Sequence, residues 1–377
     1  MAIQGAGHSC GGQSLVRDGL LLRNFAPDAD EVILHPGGLA EVSSRSSWAF
    51  VEQSLNRYGR SVAVLPDYLE LSVGGTLSVG GIGIDSIQHG QQIDAVRALQ
   101  LLSPDGQRRT CTPRKHRALF QFALAGLGQL GLIERVTLQT IPLRTSVRRR
   151  VVEHENVVDF LEFLRNITTD GGPPVQHYNA WLEPAAGADR FTSEFGDYVS
   201  DAPAGRSNDP HTVAKYDPPA LQHRRERWLA HFPDCVRMWS DVLLDHTALR
   251  AVLPDILERC RREPLNHSLK VIYVLIVRRP QDALFFPLAP HSWSGLRFSI
   301  GLYNMIDRYD PVRIASTAME LDDLMRACLR YGGRPYRYGR AKFTEAELNS
   351  VYGTRYRGKL RTLRRLLRAE RLNTELF

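Results

Sequence analysis

"MAIQGAGHSCGGQS" (residues 1–14) sets Gly5, Gly7, Gly11 and Gly12 around a single histidine, His8. Glycine lets a backbone approach a phosphate or a ring closely and adopts positive φ without penalty, so the stretch reads as a cofactor loop. On these residues alone a mobile terminal tail with an incidental histidine is an equal reading. Two further glycine clusters bear on the choice. "LSVGGTLSVGGIGIDSIQHG" (71–90) holds six glycines, and "GLGQLG" (126–131) matches the spacing of a dinucleotide fingerprint. That fingerprint needs a helix after the glycines, whereas the residues here alternate as a strand would. No cluster supplies the Gly-Lys-Ser/Thr of a Walker loop. Three dispersed clusters suit a different solution, in which several loops surround one long cofactor and offer backbone N–H groups to its phosphates.

At 377 residues the chain exceeds one usual core, so two domains are expected. No run of about 18 uninterrupted apolar residues marks a membrane span, and the first residues do not read as a secretory signal. Cys10, Cys111, Cys235, Cys260 and Cys328 form no C-x-x-C pair. This favours reduced thiols in a cytoplasmic protein over a disulfide framework or a zinc site. The net charge of +7 is concentrated in "RTSVRRR" (144–150) and "YRGKLRTLRRLLRAERL" (356–372). The second reads as an amphipathic helix with Leu360, Leu363, Leu366 and Leu367 at helical spacing. With no nucleic-acid motif beside them, solvated basic faces are expected and no nucleic-acid partner.

Along the chain, "EVILHPGGLAEVSSR" (31–45) predicts strand, turn and strand. Ser44 is the expected cap of a helix running to about Tyr58, with Trp48, Val51 and Leu55 on one side. "SVAVLP" (61–66) predicts a short buried strand that delivers Asp67. "DAVRALQLLSPDGQRRTC" predicts a hairpin about Pro104-Asp105-Gly106, and a short helix follows near Arg117–Ala125. From about 143 to 320, helical segments (156–166, 221–231, 247–262) alternate with strands such as "LKVIYVLIV" and "LRFSIGLY". A loop rich in Pro, Gly, Asp and Ser is expected at about 184–219. This predicts an α+β substrate domain over 143–325, after a first domain at 1–142 and before a C-terminal segment, 326–377, that returns to it.

"GAGHSCGGQ", "PDYLELSVGGTLSVGGIG", "HGQQIDAV" and "GLGQLGLIERV", in this order, resemble the FAD domain of the vanillyl-alcohol-oxidase, or PCMH-type, flavoproteins, above all the cytokinin dehydrogenases and their bacterial relatives. The resemblance covers residues 3–140 and is faint across the substrate domain. "GGRPYRYGR" and "LNTELF" near the C-terminus also resemble the sugar-alcohol and aldonolactone oxidases of that superfamily. The resemblance implies a two-domain α+β fold in which an antiparallel sheet flanked by helices forms the substrate domain. It implies FAD as cofactor, an amine or alcohol as substrate, and oxygen or another acceptor to reoxidise the flavin. In this family a βαβ unit precedes the Gly-x-Gly-His-Ser loop, so the expectation is that the chain begins after that unit and binds FAD poorly as it stands.

The resemblance also assigns roles. His8 stands where the family bonds histidine covalently to the flavin, which makes the ring a stronger hydride acceptor; a noncovalent loop histidine is the alternative. Gly5, Ala6, Gly7, Ser9 and Gln13 match the first flavin loop, and Ser72, Ser78 and Ile82 the second. Ile133 is expected on the adenosine side, and Tyr336 and Asn373 near the flavin ring. Cys10 is expected as a small buried residue. Asp67 matches the family's aspartate before "GGTLS", placed to accept the proton that the substrate releases as hydride leaves; a strand-end aspartate capping a turn is the alternative. No residue is expected to bind metal. "HYNAWLE" (177–183) departs from the pattern, with Ala180 at the family's second acid and Glu183 three residues on, a departure that bears on the substrate and not on the flavin chemistry. Two other readings stay open: a sugar-alcohol or aldonolactone oxidase, and a flavin-binding scaffold that has lost catalysis.

Overall fold

The computed structural model describes residues 1–28, 30–169, 175–185, 187–199, 213–215, 234–293, 295–340 and 342–373. Two short strands, Ala2–Gln4 (β1) and Leu21–Arg23 (β2), pair in parallel on either side of the first glycine loop. The Pro36-Gly37-Gly38 turn joins Ile33–His35 (β3) to Leu39–Ser43 (β4), as its residues predict. After the helix Trp48–Asn56 come Arg60–Val62 (β5), the hairpin of Val96–Leu102 (β6) and Arg108–Cys111 (β7), and the long strand Leu132–Pro142 (β8). The sheet order is β3-β4-β8-β6-β7, with β5 paired to β8. Trp48, Val51 and Leu55 lie fully buried against it with Leu99, Leu101, Val136 and Leu138.

The second sheet begins at Ser146–His154 (β9) and continues through His177–Glu183 (β10), Arg190–Val199 (β11), Val213–Lys215 (β12), Cys235–Leu244 (β13), Leu269–Arg278 (β14), Leu296–Asp307 (β15) and Arg334–Pro335 (β16). Every pairing in it is antiparallel, in the order β12-β9-β11-β10-β14-β15-β13-β16. Successive side chains on a strand point to opposite faces. The even-numbered residues Tyr178, Val242, Ile272, Val274, Ile276, Ile300 and Leu302 share a core with the helices Val157–Thr168, His246–Cys260 and Pro311–Arg330. The odd-numbered Leu243, Tyr273, Leu275 and Val277 meet Ile82 and Ile84 of the second glycine loop. The C-terminal helices Glu345–Tyr352 and Thr354–Leu366 return to the first core through Leu348, Val351, Tyr352 and Leu360. The fold is thus α+β, with the two sheets meeting over the second glycine loop.

Several local expectations are corrected. The helix cap is Ser47, whose Oγ accepts from Phe50 N, and the helix ends at Asn56. Ser44 cannot serve, because its amide donates to Glu134 O and its carbonyl accepts from Gly74 N. The segment 61–66 is buried, but only as far as Val62 is it a strand, and the rest is tied by Gln92 Nε2 to Val64 O and by Arg144 Nη2 to Ala63 O. Within the expected loop 184–219, β11 alternates Phe191, Ser193 and Phe195 inward. The basic run 144–150 is paired, not merely solvated. Arg149 meets Glu194 at 2.5 Å, Arg148 meets Asp197 at 3.3 Å, and Arg144 is buried against Asp85. Leu366 is exposed, while Leu360 and Leu367 are buried. The helix expected at 221–231 lies outside the described residues. Among the described residues no helix is long and apolar enough to cross a membrane, and no group of three or more His, Cys, Asp or Glu could hold a metal ion.

Candidate active site

The three glycine loops and the odd-numbered face of the second sheet line one open cleft. Of the residues assigned from sequence, Gly5, Ala6, Gly7, His8, Ser9, Gln13, Asp67, Ser72, Ser78, Ile82, Ile133 and Tyr336 all line it.

The first and second loops, and the second loop and Ser44, approach closely enough at Gly5 and Gly74 to leave no room for a side chain. A Cβ on Gly5 would collide with Ser72 Oγ, and one on Gly74 would lie 2.9 Å from Ser44 Cβ. Ser72 Oγ accepts from Ala6 N at 3.2 Å, so its hydroxyl first serves to join the two loops. Ser78 Oγ donates to Gly74 O at 2.7 Å. Gln13 Nε2 reaches the carbonyls of Arg337 and Tyr338 at 3.0 and 3.2 Å, and Cys10 N donates to Tyr338 O, which fixes the turn after β16 to the first loop. Cys10 itself is half-buried instead of buried, and its Sγ lies 3.5 Å from His8 O.

Asn373 is placed differently from expectation. Its Nδ2 donates to Leu127 O and Gly128 O, and its Oδ1 accepts from Ile3 N. With both ends of its amide taken by backbone, it ties β1 to the third glycine loop and does not line the cleft. Ala180 and Glu183 are also outside the site. Ala180 has even parity and is buried in the helical core, and Glu183 stands at the exposed end of β10, 3.7 Å from Arg190.

His8 is half-buried, its ring 4.8 Å from that of Tyr68, with Arg237 Nη1 3.4 Å from its Nδ1. Asp67 is half-buried just past Pro66 and is hydrogen-bonded to the Tyr273 hydroxyl, which accepts in turn from Asn179 Nδ2 at 3.5 Å. Burial, and then the Asp67 charge, hold the Tyr273 phenol well above its ordinary value, so it stays a proton donor to Asp67 at any working pH. The Tyr336 hydroxyl is hydrogen-bonded to the backbone at Ile82 and Gly81, and burial followed by the charge of Asp241 raises its pKa. Tyr338 Oη donates to Tyr303 Oη at 3.2 Å.

Sequence reasoning missed the far wall: Asp241, Tyr273, Leu275, Ser299 and Tyr303. All are odd-numbered residues of β13, β14 and β15. The signal was there as polar residues at one parity inside strands that otherwise read as apolar runs.

Residues 1–112 match a family model described as an FAD binding domain. The chain is 33% identical over 164 residues to cytokinin dehydrogenase 9 of Oryza sativa subsp. japonica, covering 43% of this chain and 32% of that protein. It is 37% identical over 156 residues to cytokinin dehydrogenase 4 of Arabidopsis thaliana, covering 40% and 30%. The chain therefore spans about a third of the length of these relatives. The match places the likeness to an FAD-binding domain in residues 1–112, which hold the first two glycine loops. The cleft suits FAD by its lining: glycines and small hydroxyl residues such as Ser9, Ser72 and Ser78 dominate one side, and among the described residues no lysine, arginine, aspartate or glutamate from the first or third loop lines it.

Proposed function

We propose that the protein is an FAD-dependent oxidoreductase that takes a hydride from a carbon bearing nitrogen or oxygen in a small molecule. The observation that carries this reading is that one cleft joins the three glycine loops to a half-buried Asp67 held by a buried tyrosine. Bound FAD would supply a ring that accepts the hydride. The amides of the first and second loops would hold its diphosphate, Ile133 would pack on the adenosine side, and His8 would carry a covalent bond to it. Asp67 would take the proton released from the substrate nitrogen or oxygen. Tyr273, itself oriented by Asn179, would keep the carboxylate turned toward the donor. Ile82 and Leu275, packed in one apolar cluster at the edge of the cleft, would restrict water.

The relatives are named for cytokinin, and a cytokinin-like amine is one substrate class. The hydroxyl-rich wall of Tyr303, Tyr338 and Ser299 favours a second class, a polyol or aldonolactone precursor. Anaerobic mixing of FAD-loaded protein with N6-substituted adenines on the one hand and sugar alcohols on the other tests both. Bleaching of the flavin absorbance by one class identifies it. A protein that takes up FAD and is bleached by neither would be a binding scaffold, and the oxidoreductase reading would fall.

A further inference from the structure

Two arginines meet at the edge of the second sheet, beyond the cleft. Arg334 of β16 stands opposite Leu243 of β13. Residues directly opposite in an antiparallel pair share a face, so Arg334 projects on the odd-numbered side, toward the first domain. Arg297 of β15 projects on the same side. Its Nη1 donates to Leu243 O and Gly332 O at 3.3 and 3.2 Å, which brings its guanidinium to the β13–β16 junction. The Arg334 guanidinium lies 4.3 Å over the centre of the Trp293 ring. Stacking occupies the flat face of the guanidinium and leaves its edge donors to other partners. Among the described residues Asp245 is the one carboxylate that bears on either arginine, and it acts only on Arg297. It is already engaged as a helix cap, accepting from Ala248 N at 2.8 Å.

Four N–H groups of this cluster are buried and, among the described residues, meet no acceptor: Nε and Nη1 of Arg334, Nε of Arg297 and Nε1 of Trp293. Burial, and for Arg334 also the charge of Arg297, holds both guanidinium pKa values below their ordinary value. Tyr352 bears on Arg334 as well, but its phenol is hydrogen-bonded to Arg337. Buried donors without acceptors cost stability, and so do like charges drawn together out of water. An anion offsets both. A phosphate group brings about two negative charges and three strong acceptor oxygens, whereas a carboxylate brings one charge and two oxygens to four donors. Arginine forks also bind phosphate bidentately. The approach is open, since Arg334 is half-buried and a Cβ on Gly295 or Gly332 would meet nothing within 4 Å.

We propose that Arg297, Arg334 and Trp293 form a binding site for a phosphate group, free or carried by an ester, at the edge of the second sheet. It stands apart from the oxidoreductase reading, because none of the three lines the cleft. Trp293 also lies against Tyr356 of the C-terminal helix Thr354–Leu366, ring centroids 5.7 Å apart. A phosphate held there would join the sheet edge to the segment that returns to the first core.

The test is a calorimetric titration of the full chain near pH 7, in chloride buffer of constant ionic strength, with inorganic phosphate, glycerol 3-phosphate and acetate. Phosphate is expected to bind at one site and at least about tenfold more tightly than acetate. A charge-assisted hydrogen bond is worth about tenfold or more in affinity, so Arg334→Gln and Arg297→Gln should each weaken phosphate by about that factor. Glycerol 3-phosphate binding as tightly as phosphate assigns the site to an ester, and phosphate binding alone assigns it to the free ion; either supports the proposal. Arg334→Lys keeps the charge but not the fork. It carries the test if the glutamine variants do not fold, with weaker phosphate binding again expected. No phosphate binding by wild-type protein, or equal affinity for acetate, overturns the proposal. So does an affinity unchanged in the arginine variants, which would place the phosphate in the glycine loops instead.

Discussion

The Tyr273 hydroxyl, from the middle of the second sheet, is hydrogen-bonded to Asp67 at the edge of the first domain. It brings the two halves of the site together at the group proposed to accept a proton. Asp67→Asn keeps shape and hydrogen-bond reach but removes basicity, so flavin loading should persist while anaerobic bleaching slows by about 10²-fold or more. Tyr273→Phe leaves the base and removes only its orienter, and about a tenfold loss is expected. A change confined to KM in the Asp67 variant would mean that Asp67 binds substrate equally in ground and transition states.

His8 is the second test of the cofactor assignment. If it bonds to the flavin, protein denatured in acid or detergent keeps its yellow colour, and His8→Ala loses it on the same treatment while still binding FAD before denaturation. Wild-type protein that releases all its flavin on denaturation would remove the covalent link and leave the loop as a noncovalent cradle.

The seam between the domains predicts a stability effect. Asp85 is fully buried, 2.9 Å from Arg144 and also hydrogen-bonded to the Tyr198 hydroxyl, with the Arg144 guanidinium 4.2 Å from that ring's centroid. Removing one partner of a buried pair leaves an uncompensated charge and costs about 3–5 kcal/mol. Asp85→Asn should lower the denaturant midpoint accordingly, and the double variant Asp85→Asn, Arg144→Met should recover much of the loss. If the single and double variants are equally destabilised, the pair is not the source of the effect.

The first domain was the more legible half in sequence because its signals are local. Pro36-Gly37-Gly38 and Pro104-Asp105-Gly106 dictate turns whatever lies around them, and Gly5 leaves no room for a side chain where the first glycine loop meets Ser72 of the second. The far wall was hidden because its strands are covered on both faces, by helices on one and by Ile82 and Ile84 on the other. Such strands read as nearly continuous apolar runs, and the parity that separates Tyr273 and Leu275 from Ile272 and Val274 shows only in isolated polar residues. The same parity turns Ala180 away from the site and Asn179 toward Tyr273. Choosing Ser47 over Ser44 as the helix cap needed the long-range bonds of Ser44 to Glu134 and Gly74, which no local pattern records.

Glu52 gives a pH dependence with a definite sign. It projects from the helix Trp48–Asn56 and is 3% exposed, accepting from Ser61 Oγ at 2.6 Å and from Val62 N at 2.8 Å. Burial nevertheless raises its pKa above the ordinary 4.5, outweighing those two bonds and the pull of Arg144. A carboxyl whose folded pKa is raised binds its proton more readily in the native state than in the unfolded chain. Its contribution to stability is therefore fully present below the unfolded pKa and is lost as pH rises through the folded one. Glu52→Gln removes the titration while its amide can still accept from Val62 N and donate to Ser61 Oγ. The melting temperature of the variant relative to wild type should thus climb as pH is raised from about 4.5 and level off once Glu52 is ionised in the native protein. Thermal melts of both proteins across pH 4.5–8 check this. A difference that stays flat would mean that Glu52 titrates alike folded and unfolded, and a difference that falls would mean that its hydrogen bonds outweigh its burial.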